Sequence, residues 1–281
     1  MDISTKIGDE MSKDVFHATV PGSRDDVLNM LKEKQVSGVP VAKDGKLIGI
    51  ITRTDMLKHP EEEQIAILMT RNPVTIGTNE DISYAASLIL KEGIRRLPVV
   101  KGDQLVGIIT ITDIIRVIAE LGINDKIEGV IENGTISVWD ETPLPIVGKI
   151  LELAHIAASP VINSEEDLSG VIADKDLVNA AVIEDSVEKS DMSAGSDEDA
   201  WTWESMRDTM KIYYGVSKIK LPDIPVKDIM KKNPATAFLS TEISDCAQKM
   251  VKNKVYQIPI VSSNQKLIGL VKAKDLLKAL I

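Results

Sequence analysis

The chain reads as an α/β (α+β) protein built from four tandem β-α-β-β-α repeats that pair two by two. Three observations predict this. First, one segment recurs four times in order: Gly49-Ile50-Ile51-Thr52-Arg53-Thr54-Asp55, Gly107-Ile108-Ile109-Thr110-Ile111-Thr112-Asp113, Gly170-Val171-Ile172-Ala173-Asp174-Lys175-Asp176 and Gly269-Leu270-Val271-Lys272-Ala273-Lys274-Asp275. Second, a proline in an apolar run precedes each (Pro40, Pro98, Pro160, Pro259), at Pro-to-Asp distances of 15, 15, 16 and 16 residues. Recurrence at a fixed period marks a repeat architecture. Third, each unit spans only about 55–60 residues, which buries too little surface to be comfortable alone, so neighbours should pair.

Each unit opens on a short β segment: Val74-Thr75-Ile76 in the second, Thr135-Ile136-Ser137-Val138 in the third, Ala235-Thr236-Ala237-Phe238 in the fourth. A helix-period stretch follows, from Asp81, Leu144 and Ile243 onward in the same three units. Two apolar strands joined by a polar turn come next. In the first unit these are Val39-Pro40-Val41 and Leu47 to Ile51, and the Asp44-Gly45 dipeptide between them is a hairpin signal. A second helix closes each unit after the repeated Asp. The bounds expected are 8–60, 66–122, 127–184 and 226–281, with an acidic insertion at 185–222. Met69-Thr70-Arg71-Asn72-Pro73 and Met230-Lys231-Lys232-Asn233-Pro234 lead into the second and fourth units. Within the insertion, Ser190 to Asp199 reads as a mobile loop. Trp201, Trp203, Tyr213 and Tyr214 read as pinning a helix onto the body.

Composition narrows the function. Of 281 residues, 43% are hydrophobic and 27% charged, ordinary for a globular protein. The formal net charge of −10 argues against nucleic acid or an anionic membrane as partner. No apolar run reaches the roughly 18–20 residues that span a bilayer. Met1 to Lys6 lacks the apolar core of a signal peptide. Cys246, the one cysteine, excludes a disulfide framework and fits a cytoplasmic protein. It reads as a buried small hydrophobe. His17, His59 and His155 lack metal-ligand spacing, and no phosphate-loop, dinucleotide or nucleophile-elbow motif occurs. A catalytic reading therefore has no residues to stand on, and neither a metal nor a catalytic cofactor is expected.

The junction in the first two units can carry chemistry. Thr110 and Thr112 alternate onto one side of a strand that hands over to a helix. Two hydroxyls beside the unsatisfied N–H groups of a helix start suit a phosphate. An Asp one step on can accept both hydrogens of a ribose diol. A local reading competes: Thr-x-x-Asp before an apolar run is nearly a capping box. The third unit replaces both hydroxyls with Ala173 and Lys175. The fourth offers Lys272, Lys274 and Asp275, where the lysines either bind phosphate or stand solvated.

The Asn-Pro-x-Thr opening, the Leu-Pro-Val strand and the Gly-Ile-Ile-Thr-x-Thr-Asp segment resemble the cystathionine β-synthase (CBS) domain family over nearly the whole chain apart from the insertion. In that family two repeats form a Bateman module. Four repeats resemble the gamma subunit of AMP-activated protein kinase and its stand-alone archaeal relatives. The resemblance implies two modules in a disk-like assembly or homodimer. It also implies regulatory binding of AMP, ADP or ATP, acting through an unknown regulated protein. It places phosphate on Thr52, Thr54, Thr110 and Thr112, ribose on Asp55 and Asp113, and the base near Thr75, Leu97 and Pro98. Arg95 and Arg96 would reach phosphates across the cleft, as a planar guanidinium does well. Two alternatives stay open: another adenosyl ligand such as S-adenosylmethionine, and a ligand-free scaffold.

Overall fold

The computed structural model describes residues 5–34, 36–59, 61–131, 134–191 and 211–281, with only the backbone course over 184–191 and 211–219. Trp201, Trp203 and most of the expected loop after Ser190 lie outside the described residues.

The repeats follow one another as expected. A short lead-in helix α1 (Ile7–Glu10) precedes the first, which holds β1 (Ala18–Thr19), α2 (Arg24–Glu33), β2 (Gly38–Lys43), β3 (Lys46–Thr52) and α3 (Arg53–Lys58). The second is led in by α4 (Ile65–Leu68) and β4 (Thr70–Arg71). It holds β5 (Ile76–Gly77), α5 (Ile82–Glu92), β6 (Arg96–Lys101), β7 (Gln104–Thr110) and α6 (Ile111–Glu120). The third holds β8 (Val138–Trp139), α7 (Leu144–Leu153), β9 (Ala158–Ile162), β10 (Leu168–Ala173) and α8 (Asp174–Ala180).

A ribbon of β11 (Val182–Asp191) and β12 (Lys211–Lys220) then corrects one expectation. Tyr213 and Tyr214 lie on a strand paired with Lys189 and Glu188, not on a helix. Finally come β13 (Lys231–Lys232), α9 (Ile243–Asn253), β14 (Gln257–Val261), β15 (Leu267–Lys272) and α10 (Ala273–Leu277). A single parallel bridge, Ala237 to Ile260, stands in place of the fourth repeat's first strand.

The turn chemistry holds at Asp44-Gly45. Both residues have positive φ, 52° and 76°, as the twist of a tight hairpin requires.

Repeats 1 and 2 pair through their strands into one sheet, ordered β1-β2-β3-β7-β6-β5, with β4 added on β3. The two halves meet at Lys46 and Gln104. Repeats 3 and 4 meet at the corresponding bridge, Asp167 to Lys266. Each lead-in segment crosses to the other repeat of its pair. Met69 presses on Gly49, Met11 on Gly107 and Met230 on Gly170, closely enough that a Cβ on any of these glycines would strike the methionine sulfur. The repeated glycine is therefore a packing requirement in three of the four units.

The two modules join through helices. One core merges repeats 2 and 4, bringing Ile89, Ile114 and Ile118 against Cys246, Met250 and Leu276. A second core carries Val178 and Ala181 of repeat 3 into repeat 1 beside Leu28 and Met56. Repeat 1 thus faces repeat 3 and repeat 2 faces repeat 4, closing a disk. Among the described residues, no helix is long and apolar enough to cross a membrane.

Candidate functional site

The four strand-to-helix junctions share one hydrogen bond. The carboxylate of the repeated Asp accepts the backbone N–H three residues earlier: Thr52 to Asp55 at 2.8 Å, Thr110 to Asp113 at 2.8 Å, Ala173 to Asp176 at 2.9 Å, and Lys272 to Asp275 at 2.8 Å. Recurrence of the Asp therefore has a local cause in every copy, because a helix start leaves N–H groups without intrahelical partners. The hydroxyls are the additional feature of repeats 1 and 2. Thr52 and Thr110 each donate to the same Asp oxygen at 2.7 Å. Asp113 is 6% exposed, and its other oxygen accepts from Arg116 at 3.3 Å. In repeat 3 burial pushes the Asp176 carboxyl up, against the pull of the Ala173 N–H.

A cavity of about 260 Å³ opens at the repeat 2 junction. Thr110, Thr112 and Asp113 line it together with Arg95 and Arg96. Repeat 1 supplies Ser12, Asp14, Val15, Phe16, Ser37, Gly38 and Pro40. The structure thus brings together five of the residues singled out from sequence. Arg96 is buried, and burial with the neighbouring Arg95 pulls its guanidinium down to about 10. Its Nη2 donates to Ser37 Oγ, while its Nη1 has no hydrogen-bond partner among the described residues. A Cβ on Gly38 would land on this guanidinium, so the glycine leaves room for it.

The other singled-out residues lie elsewhere. Thr54, Lys272 and Lys274 line a separate cavity of about 480 Å³ between the modules, with Lys58 and His155. Asp275 is fully buried and sits 3.9 Å from Lys278. Thr75 is exposed and Pro98 buried. Leu97 is 0% exposed and packs into the core, so it offers no surface to a base.

Arg95 departs from the expectation of a free phosphate binder. Its Nη2 lies 2.7 Å from Asp174 Oδ2 in repeat 3, and Arg53 Nη1 lies 3.2 Å from Asp174 Oδ1. Burial alone would raise the Asp174 carboxyl, but Arg95 and Arg53 outweigh it and hold it below its ordinary value.

Sequence reasoning missed Asp174, Arg53, Ser37, Phe16 and Tyr256. The repeat register held a signal for several of them. Ser37, Arg95, Ala157 and Tyr256 each stand three residues before the strand proline, and three of them line the cavity. Arg53 and Asp174 each follow the junction residue directly, with opposite charges.

The family model for the CBS domain matches residues 6–62, 63–120 and 226–281. The chain belongs to the CBS domain family. The third repeat lies outside those matches, yet it has the same β-α-β-β-α order as the first and second in this CBS protein. Protein MJ1225 of Methanocaldococcus jannaschii is 27% identical over 195 residues, covering 63% of this chain and 70% of that protein. Its crystal structure, described as a candidate archaeal homologue of g-AMPK, superposes with a TM-score of 0.77 at 22% identity, covering 99% of this chain and 100% of that one. A conserved protein of Pyrococcus horikoshii superposes with a TM-score of 0.65 at 27% identity, covering 99% and 100%. Inosine-5'-monophosphate dehydrogenase of Thermoplasma acidophilum is 36% identical over 87 residues. That match takes in 31% of this CBS chain and 18% of the enzyme, so the likeness does not extend to the whole enzyme.

Proposed function

We propose that this CBS protein is a regulatory adenine-nucleotide sensor that acts on a partner protein without catalysis. The observation that carries the reading is Arg96. A buried guanidinium with an unpartnered Nη1 lines the same cavity as a helix start bearing two hydroxyls, and Arg96 pairs with Thr110 across β6 and β7. Leaving a buried charged donor unsatisfied is costly, and an anion relieves that cost. Phosphate is assigned to Arg96, Thr110, Thr112 and the first turn of α6. The ribose diol is assigned to Asp113, whose Oδ1 has acceptor capacity left beside Arg116. The base is assigned to the segment around Val15 and Phe16, with Pro40. Phe16 is half exposed and supplies an aromatic face at the cavity. Thr52 and Asp55 repeat the junction geometry, which supports a second, related position in the same module.

Calorimetric titration with AMP, ADP and ATP tests this, on wild type and on Arg96→Ala and Asp113→Ala. Binding to wild type that falls at least about tenfold in each variant is expected, since a charge-assisted hydrogen bond contributes roughly 1.5–3 kcal/mol. An Arg96→Ala protein that still binds S-adenosylmethionine well, and nucleotides poorly in either form, would point to the phosphate-free ligand. The local capping of Asp113 by Thr110 favours the scaffold reading instead. That reading predicts no thermal shift with any of these compounds.

A further inference from the structure

Arg95 lines both the first-module cavity and the cavity between the modules, and it is ion-paired across the disk to Asp174. Asp174 stands at the first helical position of α8. The same register position is Arg53 in repeat 1, Ile111 in repeat 2 and Ala273 in repeat 4. Only repeat 3 places a carboxylate there, and it is one directed at a wall residue of another module's cavity. Within the pair, Asp174 is 8% exposed and Arg95 partly buried, so solvent screens the interaction weakly.

We propose that Asp174 is a specificity-determining residue that competes with a ligand phosphate for Arg95, and so sets how far the first-module cavity prefers charged over uncharged adenosine ligands. The proposal rests on reading that cavity as a nucleotide site. Its physical basis is charge. A carboxylate 2.7 Å from Arg95 neutralises the cation that faces the cavity and repels an incoming phosphate. A ligand anion that draws Arg95 leaves Asp174 with Arg53, its partner at 3.2 Å. Ligand binding in module 1 is thereby linked to the contact with repeat 3, and linkage of this kind is reciprocal. An uncharged nucleoside has no such effect on Arg95.

The test is calorimetry of the full chain with adenosine and with AMP, each variant being checked for folding by circular dichroism. Asp174→Asn should bind AMP about tenfold tighter and adenosine unchanged within about twofold. Arg53→Gln should do the reverse for AMP, because Asp174 then pairs with Arg95 alone. An AMP-to-adenosine preference that stays constant in both variants overturns the proposal, as does a shift of opposite sign in either. If Asp174→Asn does not fold, the Arg53→Gln arm decides by itself. A wild type that binds adenosine and AMP equally defeats the competition while leaving the site intact. A wild type that binds neither overturns the nucleotide reading, and this proposal with it.

Discussion

The guanidinium of Arg96 occupies the space in front of Gly38 that any side chain there would fill. The two residues hold the same register position in adjacent repeats, two before the strand proline. A pseudo-symmetric pair of repeats has thus become asymmetric at its centre, with a cation on one side and a gap on the other.

Gly38→Ala should therefore displace Arg96 and cramp β2 against the Ile51 carbonyl, 3.0 Å from the new Cβ. Overpacking of this kind costs about 1–3 kcal/mol. Denaturant unfolding should show that loss, and nucleotide affinity should fall together with it. A variant as stable as wild type would mean the guanidinium moves freely.

Asp113→Ala and Asp176→Ala remove the same hydrogen bond to the backbone. Each should destabilise the ligand-free protein by about 1 kcal/mol, the usual size of a lost helix cap. Only Asp113→Ala should change nucleotide affinity. Equal effects of both on binding would show that the carboxylate serves the helix alone.

The ion triad makes a pH prediction. The folded-state value of Asp174 is depressed, so its contribution is complete above the unfolded carboxylate value of about 3.9 and is lost as pH falls below it. Asp176, with its value raised, acts in the opposite direction and just above the unfolded value, where its ionisation as pH rises costs stability. Asp174→Asn should lower stability at neutral pH by roughly 3 kcal/mol and lose less than wild type on acidification. Unfolding midpoints measured from about pH 2 to 7 check both parts.

Cys246 is fully buried, and burial pushes its thiol up to about 12. The thiolate is the reactive form, so the folded protein should resist alkylation at pH 8 and react once unfolded. Intact mass after iodoacetamide treatment reads this directly. Rapid labelling of native protein would mean that the core shared by α6 and α9 opens readily.

Much of the fold was legible because its signals are local. Asp44-Gly45 encodes its own turn, and the glycine-to-Asp segment encodes a strand handing over to a capped helix. The chemistry at the junction was legible only in part. Thr110, Thr112 and Asp113 line one cavity with Arg96, but Thr112 sits in the first turn of α6 and not on the strand where alternation had put it. The ion pair of Arg95 was not legible because its partner is 79 residues away and becomes its neighbour only when the modules pack. The lead-in segment was missed as a wall because Phe16 and Val15 face the junction of the other repeat, a crossing that the repeat pattern does not announce.

The sequence by itself determined the four repeats, their strand and helix order and the capped junctions, since each depends on residues within a few positions of one another. Tertiary structure alone decided which repeat faces which, that Arg96 enters the space left by Gly38, and that Asp174 answers Arg95 and Arg53. Those outcomes come from contacts between residues far apart in the chain, within a module for Arg96 and between modules for Asp174, where burial strengthens every charge that cannot reach water.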